Sequence, residues 1–471
     1  MIIKHTKSGT TNPESSGKIE RTALIVAMIT SFINPLSLSA VNVALPAIGT
    51  DLGANAISLA WIATAYAITA AVVQLPLGKV IDIRGKRRIM IIGAVLFSLS
   101  NFLAAISWSS WWMILCRIIQ GFGGSMTSIA GMALVSSIFP PNQRGKAIGI
   151  IVGAVYAGLS VGPFVGGIFT HYLGWYSMFI FNGLLTGVAA FMAIKGLEGD
   201  WEQAPLTKES LDVPGSLIYC AALTILMIGL CNLPGNFPLM LIVAGILGLF
   251  LFVLQQTKTK IPIINVTIFL KNRIFAFSNF AALTHYASAF AVSFLLNLYL
   301  QYIKGIDAHY AGIIMLVQPA VQALLSPFMG GLSDRVEPRI LASIGMGCTV
   351  VGISGLIGIT EDTPLLFIVS LLILLGLGYA LFSSPNTNAV MGSVDKNLYG
   401  MASSFLGTMR SMGMSVSMAV ATMSMSFYIG NRKLGVNTYE GLFAAMNACF
   451  FIFMVLCCIG IAASLARGKK T

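Results

Sequence analysis

The stretch GKVIDIRGKRR at residues 78–88 is echoed by GGLSDRVEPRI at residues 330–340. Each stretch follows a long apolar run, and each has a glycine, an aspartate four positions later and then basic residues. A repeat in corresponding loops indicates that the chain is built from two related halves. The echo therefore decides the plan of the fold, and the apolar runs around it decide the class.

The composition places this chain in a membrane. Of its 471 residues, 56% are hydrophobic and only 9% are charged, whereas a soluble domain carries about 25% charged residues. The net charge of +12 is concentrated in short loops and tails, where it indicates orientation rather than binding of nucleic acid. The seven cysteines form no CxxC pair, and no cluster of histidines and carboxylates lies at depth, so we expect no metal site, no cofactor and no enzyme.

Counting apolar runs of about 20 residues predicts an all-α polytopic membrane protein with fourteen transmembrane helices. These form two six-helix bundles with an inserted helix pair. The predicted spans lie near 22–46, 57–80, 88–107, 110–135, 146–170, 176–195, 214–232, 237–255, 275–302, 310–331, 340–359, 363–384, 398–428 and 441–466. The predicted parts are a tail (1–21), a bundle (22–195), a linker (196–213), the inserted pair (214–255), a loop (256–274), a bundle (275–466) and a tail (467–471).

The basic loop residues predict the orientation. They follow the even-numbered spans, and they include Arg84, Lys86, Arg87, Arg88, Arg144, Lys146, Lys258, Lys260, Lys271, Arg273, Arg335 and Arg339. Basic residues favour the cytoplasmic side, so both termini and the linker are expected to be cytoplasmic in a multi-pass protein of the cell membrane. Arg432 and Lys433 are the main exception.

Several short motifs carry a family resemblance. They are GKVIDIRGKRR (78–88), NVALP (42–46), RIIQG (117–121), GLSVGPFVGG (158–167) and LYLQYIKG (298–305). With them the chain resembles a major facilitator superfamily transporter of the fourteen-span drug:H+ antiporter type. The resemblance implies an efflux transporter that exports small amphipathic or drug-like molecules by alternating access, with the substrate, the bilayer and, if coupling uses them, protons as partners. A lipid or lipid-precursor flippase and an organic-anion or metabolite exporter without proton coupling stay open as alternatives.

The fifth span carries the clearest gating signal. Gly158, Gly162 and Gly166 recur every four residues, so one face of this helix lets another helix approach closely. Pro163 removes a backbone donor and favours a bend. We expect this face, with Gly167 beside it, to form a seal that moves between two arrangements.

The resemblance implies further gating residues in the loops and in span four. The loop residues are expected to form a cytoplasmic latch, although Ile83 stands where the family usually has a basic residue. The residues implied are Gly78, Asp82, Arg84, Gly85, Arg87, Gln120, Gly121 and Asp334.

Polar residues inside the spans are the candidates for a central cavity. An arginine near a helix centre costs about 2.5–3.5 kcal/mol on insertion scales, so Arg117, His285 and Arg410 call for a water-filled cavity or a partner. Neutral polar residues form stripes on the same or neighbouring spans, and hydrogen bonding between helices is the alternative explanation for each. These residues are Asn34, Ser37, Asn42, Asn297, Gln318 and Gln322.

The sequence offers few intramembrane side chains that could carry a proton. Ser37 stands where the resembled family often has a carboxylate, and the sequence has no Asp or Glu well inside any span. Either His285, the one intramembrane side chain of a type that titrates near neutral pH, couples protons to export, or there is no proton coupling. Arg117 and Arg410 without an intramembrane acid predict a preference for anionic or neutral substrates over cations.

Overall fold

The computed structural model describes residues 13–197, 211–233, 235–259, 262–263, 271–333, 335–394, 399–430 and 432–468. Fourteen α-helices follow one another in this part of the chain. They are α1 (Pro13–Asp51), α2 (Ala56–Arg84), α3 (Lys86–Ala105), α4 (Ser110–Ile138), α5 (Pro141–Leu173), α6 (Trp175–Gly196), α7 (Val213–Cys231), α8 (Asn236–Lys258), α9 (Arg273–Leu298), α10 (Ala308–Leu332), α11 (Pro338–Leu356), α12 (Leu365–Gly392), α13 (Tyr399–Tyr428) and α14 (Tyr439–Ala466). A π-helical turn, Tyr299–Ile303, continues α9, and a 3-10 turn, Val436–Thr438, precedes α14.

These helices confirm the predicted fold class. Thirteen of the described helices are long and apolar enough to cross a membrane. The other, α13, has 30 residues and packs against α2, α9 and α14. The largest differences from the predicted spans are in α1, which runs from Pro13 to Asp51 rather than from 22 to 46, and in α12, which continues beyond residue 384 through Pro385 to Gly392. The extra turns of α12 are held in place because Asn386 Nδ2 donates to the Ser278 carbonyl of α9 at 3.1 Å.

The helices pack as two sets of six. In the first set, α1 packs against α4, α5 and α6, while α4 also packs against α2 and α3. In the second set, α9 packs against α13 and α14, and α12 packs against α10 and α11. The sets meet at the seam, by which we mean the paired contacts of α2 with α13 and of α5 with α10. The second and fifth helices of each set thus face the fifth and second helices of the other, as two related halves require.

The two sequence echoes occupy corresponding turns of the two sets. The first joins α2 to α3 and the second joins α10 to α11. A single residue, Gly85, separates α2 from α3, and its φ of +93° is a backbone conformation that favours glycine. We call the side of the fold with these turns the basic side and the other the opposite side.

The inserted pair leans against one flank of the seam. Helices α7 and α8 pack against each other, and α7 also contacts α2 and α13. At the basic-side end Asp212 caps α7, and its carboxylate accepts hydrogen bonds from Gln255 and Gln256 of α8 at 2.6–3.2 Å. The pair is therefore clamped at its base. The seam between α5 and α10 lies away from it.

The residue limits of the domains stay a prediction, because much of the linker (198–210) and of the first tail (1–12) lies outside the described residues. The first residue of the predicted C-terminal tail, Arg467, is folded against the helices. Arg467 is 2% exposed, and its Nη1 donates to Ser278 Oγ at 3.1 Å and to Asn386 Oδ1 at 3.0 Å. Burial lowers the pKa of this guanidinium to about 10, against the opposing effect of nearby Glu337. Arg467 thus fastens the end of α14 to α9 and α12.

Candidate functional site

Arg117 is the centre of a buried polar group in the first helix set. Its side chain is fully buried; Nε donates to the Ile62 carbonyl of α2 at 3.2 Å, and Nη1 donates to Gln120 Oε1 at 2.7 Å. The guanidinium carbon lies 4.8 Å from the centroid of the Tyr66 ring, close enough for a cation–π contact. Nη2 has no hydrogen-bond partner within the described chain. The positive charge of Arg117 thus contacts uncharged groups, and the N–H groups of Nη2 have no acceptor among the described residues.

Asn34 reaches the same group from α1. Its Nδ2 lies 3.0–3.1 Å from three acceptors on α4: the Gly124 carbonyl, Thr127 Oγ1 and Ser128 Oγ. A Cβ at Gly124 would lie only 2.6 Å from the Tyr66 hydroxyl oxygen, so the missing side chain admits Tyr66. The fold therefore brings Asn34, Tyr66 and Arg117 together. The amide of Asn34 also binds α1 to α4, as expected if its role is to hold helices together by hydrogen bonds.

The polar stripe expected along α1 does not face one space. Ser39, which follows Asn34 by little more than a turn, lies against Gly162 of α5. The carbonyl of Asn42 accepts a hydrogen bond from Asn297 Nδ2 of α9, across to the other helix set. Ser37 is fully buried, and its Oγ has no hydrogen-bond partner among the described residues. The stripe divides because successive polar residues of a long helix meet three different neighbours.

His285 lies among aromatic side chains in the second helix set. It is 2% exposed, and its ring centroid is 4.0 Å from that of Phe382, 5.2 Å from that of Tyr379 and 5.7 Å from that of Tyr286. Its Nδ1 has no hydrogen-bond partner in the part of the chain that the structure describes. These are contacts of a packed histidine, and a role in proton coupling stays a prediction.

Arg410 repeats in the second set what Arg117 does in the first. Its guanidinium carbon lies 5.7 Å from the centroid of the Tyr286 ring, and Nη2 donates to Thr387 Oγ1 of α12 at 2.6 Å. Each set therefore holds an arginine beside a tyrosine ring. The sequence predicted the two arginines and placed Tyr286 in a polar stripe, but it did not predict Tyr66.

Amide side chains cross between the sets near the opposite side. Gln301 Nε2 donates to the Val43 carbonyl of α1 at 2.8 Å and to Asn297 Oδ1 at 2.9 Å. On α10, Gln318 Nε2 lies 3.3 Å from Gln322 Oε1, and both residues are 8% exposed. The predicted cavity residues thus include a group around Arg117, a group around His285 and Arg410, and a contact of Asn297 on α9 with Asn42 on α1. A single cavity that joins them stays a prediction.

The glycine face of α5 packs against α1. A Cβ at Gly158 would overlap the Phe32 carbonyl of α1, and one at Gly166 would lie 2.6 Å from the Ala40 carbonyl. The close partner is therefore α1 of the same set, not a helix across the seam. This follows from the register, since the spacing of glycines specifies a close approach and leaves the partner open.

The neighbouring face of α5 makes the contact across the seam. A Cβ at Gly167 would lie 2.5 Å from the Ala308 carbonyl of α10, and Gly312 of α10 lies against the Pro163 carbonyl. Ser160 Oγ donates to the Pro319 carbonyl of α10 at 2.9 Å. Of the predicted seal residues, Gly167 and Pro163 lie in the seam.

The predicted latch residues are scattered. Arg84 is exposed at the end of α2, Gly78 has open space around it, and Arg87 Nη2 donates to the Ile194 carbonyl of α6 at 3.1 Å. Gln120 belongs to the Arg117 group, and a Cβ at Gly121 would lie 2.7 Å from Thr69 Cβ of α2. The side chain of Asp82 and the whole of Asp334 lie outside the described residues. The latch itself stays a prediction.

Two comparisons bear on the family. The Major Facilitator Superfamily model matches residues 27–418 and 278–470. The chain is 31% identical over 456 residues to the riboflavin transporter RibZ of Clostridioides difficile, which covers 95% of this chain and 97% of that protein. The chain belongs to the major facilitator superfamily. It is a multi-pass membrane transporter of small molecules, as other members are.

More distant superfamily members complete the comparison. The cephamycin export protein CmcT of Amycolatopsis lactamdurans is 27% identical, over 88% of this chain and 86% of that protein. The multidrug resistance protein Stp of Mycobacterium tuberculosis is 26% identical, over 85% and 76%. A crystal structure of the nucleoside transporter NupG shares the fold alone, with a TM-score of 0.64 at 13% identity over 96% of this chain and all of that one.

Several residues of this superfamily member escaped the sequence-based prediction. Tyr66 and Tyr379 are aromatic residues in apolar spans, where nothing in the sequence separates them from ordinary core residues. Ser160 lies within the quoted glycine motif, but serines bond their own helix more often than another, so its contact with α10 gave no signal. For Arg467 the sequence did hold a signal. An arginine directly after a long apolar helix can fold back onto the neighbouring helices, as Arg467 does.

Proposed function

We propose that this protein is a secondary active efflux transporter that exports small amphipathic molecules by alternating access. The observation that carries the proposal is the seam, in which α2 meets α13 and α5 meets α10 across the two helix sets. Two rigid bodies joined in this way can separate without unfolding. We take the basic side as cytoplasmic, so this structure is the state that is closed toward the outside.

The contacts of the seam suit a gate that opens and closes. Backbone groups approach closely at Gly167 and Gly312, and single hydrogen bonds cross at Ser160, Gln301 and at Ala56, whose amide donates to the Arg432 carbonyl at 3.1 Å. A single hydrogen bond contributes about 0.5–1.5 kcal/mol net, so a few such bonds can be broken by the free energy of substrate binding.

The substrate class follows from the two arginines. Arg117 is fully buried and Arg410 is partly buried, each lies next to a tyrosine ring, and Nη2 of Arg117 has no partner among the described residues. A planar substrate with an acidic or carbonyl edge could stack near these rings and accept from the guanidinium groups. We propose neutral or anionic aromatic compounds as substrates, and this class excludes simple lipophilic cations.

A second candidate is transport of riboflavin or a related flavin. It is favoured by the 31% identity to a riboflavin transporter over 95% of the chain. The planar ring system of riboflavin carries carbonyl groups at its edge, so riboflavin belongs to the proposed class of neutral or anionic aromatic substrates. The alternative function, a lipid flippase, requires a larger substrate. Transport of fluorescent lipid analogues in the same vesicles tests it.

The substrate test compares two arginines of opposite burial. Purified protein in liposomes is assayed for uptake of riboflavin, an anionic dye and a cationic dye of matched size. The proposal expects the anionic and neutral compounds to be transported, and Arg117→Gln to lower their apparent affinity about tenfold. Arg88→Gln removes the same charge from an exposed position on α3 and should leave affinity unchanged. Preferential transport of the cation would overturn the substrate class.

The coupling test uses His285→Gln, which keeps a hydrogen-bonding side chain but cannot titrate. Export is measured with and without an imposed proton gradient. Coupling through His285 predicts that the gradient accelerates the wild type and not the variant. Absence of coupling predicts that it accelerates neither. Acceleration of both proteins would reject both hypotheses and require another titrating group.

A further inference from the structure

Three titratable side chains meet at the opposite-side end of the seam. His171 lies near the end of α5 in the first helix set, while Asp307 and His309 lie at the start of α10 in the second. His171 Nδ1 is 3.9 Å from Asp307 Oδ1, and the ring centroids of His171 and His309 are 6.2 Å apart. No other ion pair is described between the two sets within the described residues.

Asp307 is held in position by its own helix. Its Oδ1 accepts hydrogen bonds from the backbone amides of His309 at 2.9 Å and Tyr310 at 3.1 Å, so it caps α10. A capping carboxylate has little freedom to follow a partner that moves. Separation of α5 from α10 would therefore break the contact with His171.

The packing just inside the cluster makes that contact sensitive to small movements. Gly167 of α5 lies against the backbone of Ala308 and His309, and Gly312 lies one turn further along α10 against Pro163. The helices are already at their closest approach here. The imidazole of His171 is 41% exposed and the carboxylate of Asp307 is 42% exposed, so both can exchange protons with water on that side.

The other charged and titratable groups nearby have their own partners or share the cluster. Tyr172 of α5 and Tyr310 of α10 contact the His309 ring at 5.7 Å and 5.3 Å. On α1, which packs against both helices, Asp51 accepts from Trp175 Nε1 at 2.7 Å. Lys304, after the π-helical turn, donates to the Glu361 carbonyl. Tyr176 of α6 contacts Trp175, and Asp362 lies in the turn before α12.

We propose that His171, Asp307 and His309 form a proton-binding site that bridges the two helix sets and fastens the seam on the outside. The proposal rests on the alternating access proposed above, because the site exists only while α5 and α10 are together. A proton on His171 creates an ion pair with Asp307, and a histidine changes charge between about pH 5 and 8. A second proton, on His309, would place two positive rings side by side, so the proposed site holds one proton at a time.

Linkage fixes the direction of the effect. A ligand that binds one conformation better shifts the equilibrium toward it, so acid on the outside favours the closed seam and alkali favours its opening. The proton enters from the outside and returns there, because the site never faces the basic side. External pH therefore sets the balance of conformations without any proton being carried across, unlike coupling through His285.

The test measures the seam directly in the full-length protein in lipid nanodiscs. Spin labels are placed at Leu173→Cys on α5 and Ile313→Cys on α10, in a variant without the native cysteines that retains transport. Distances are recorded at pH 5.5 and pH 8. The closed population relative to the open one should rise about two- to fivefold in acid, the effect of an exposed ion pair.

Matched variants assign the effect. His171→Gln and Asp307→Asn should each abolish the pH response, and asparagine keeps the cap of α10. Glu440→Gln should leave the response intact, because it removes another exposed carboxylate on the opposite side, at the start of α14 and outside the α5–α10 contact. A pH response that persists in His171→Gln, or its absence in the parent protein, would overturn the proposal.

The result separates the site from the proposed function. A distance that changes with substrate but not with pH leaves alternating access standing and removes the proton site. A distance that changes with neither, in vesicles that show no flux, removes both. A distance that responds to pH while no substrate is transported supports the site and counts against the proposed function.

Discussion

Two faces of α5 make close contacts of opposite meaning. One face carries Gly158, Gly162 and Gly166 and lies against α1 inside the first helix set. The other carries Ser160, Pro163 and Gly167 and lies against α10 of the second set. Both faces admit backbone within contact distance. The face against α1 lies inside the first helix set, which we propose moves as a unit. The face against α10 lies in the seam, along which we propose that the set moves.

The comparison shows what small residues do at an interface. Glycine lets two helices approach, whether the approach is permanent or transient. A permanent interface can be continuous, as the three glycines of one face are, whereas an interface that must open is better made of few and separate contacts. The α5–α10 contact is extensive, but Ser160 makes the side-chain hydrogen bond described between the two helices, so little polar bonding opposes their separation.

The largest expected effect comes from the α1 face. Gly158→Leu puts a side chain into the Phe32 carbonyl, and overpacking of a close interface costs about 1–3 kcal/mol or more. We expect a lower melting temperature and a smaller folded fraction in detergent. The matched control is Gly153→Leu on the same helix, where nothing lies within 4 Å of an added Cβ. Equal stability of the two variants would show that the α1 face is not tightly packed.

The next effect should appear in transport and not in stability. Gly167→Ala places a Cβ 2.5 Å from the Ala308 carbonyl, but only while the seam is closed. Alanine also favours the helix by about 1 kcal/mol over glycine, so we expect an unchanged or higher melting temperature. Export should fall about tenfold, because closure of the seam becomes unfavourable by roughly 1–3 kcal/mol.

The control for this variant is Gly347→Ala in α11, where an added Cβ meets nothing within 4 Å. It gains the same helix propensity and should export normally. A strong loss of stability in Gly167→Ala would place this residue in a permanent interface and contradict the comparison.

The smallest effect concerns single hydroxyl groups. Ser160→Ala removes the hydrogen bond to the Pro319 carbonyl across the seam, and we expect the closed state to weaken about fivefold. Ser39→Ala removes a bond from Ser39 Oγ to the Pro35 carbonyl of its own helix and should shift nothing. Accessibility of a single cysteine at Ala308, which is buried and lies against Gly167 of α5, to a water-soluble reagent measures both shifts, and equal shifts would contradict the assignment of the two faces.

The sequence predicted the helices well because each span must be long and apolar whatever its neighbours are. The echo at 78–88 and 330–340 placed corresponding turns correctly because turn chemistry is local. Interfaces were harder, since the glycine spacing in α5 fitted either neighbour. The same limit explains α1, where polar residues read as one stripe meet α4, α5 and α9.

The candidate site was predicted in its charges, but the contacts of those charges with aromatic rings were not predicted. Arg117 and Arg410 stand out because an arginine inside a span is costly, but a tyrosine there is not. Tyr66 and Tyr286 gain their importance only from lying next to those guanidinium groups. Long-range contacts of this kind cannot be read from the spacing of residues in one helix.

The most direct test of the account compares both faces of α5 in one experiment. Spin labels at Leu173 on α5 and Thr50 on α1 report on the first helix set, and labels at Leu173 and Ile313 report on the seam; all three positions are exposed on the opposite side. Both distances are measured in nanodiscs with and without a transported substrate. The account predicts that the Leu173–Ile313 distance lengthens in part of the population while the Thr50–Leu173 distance stays constant. A change in the Thr50–Leu173 distance alone, or an equal change in both, would contradict it.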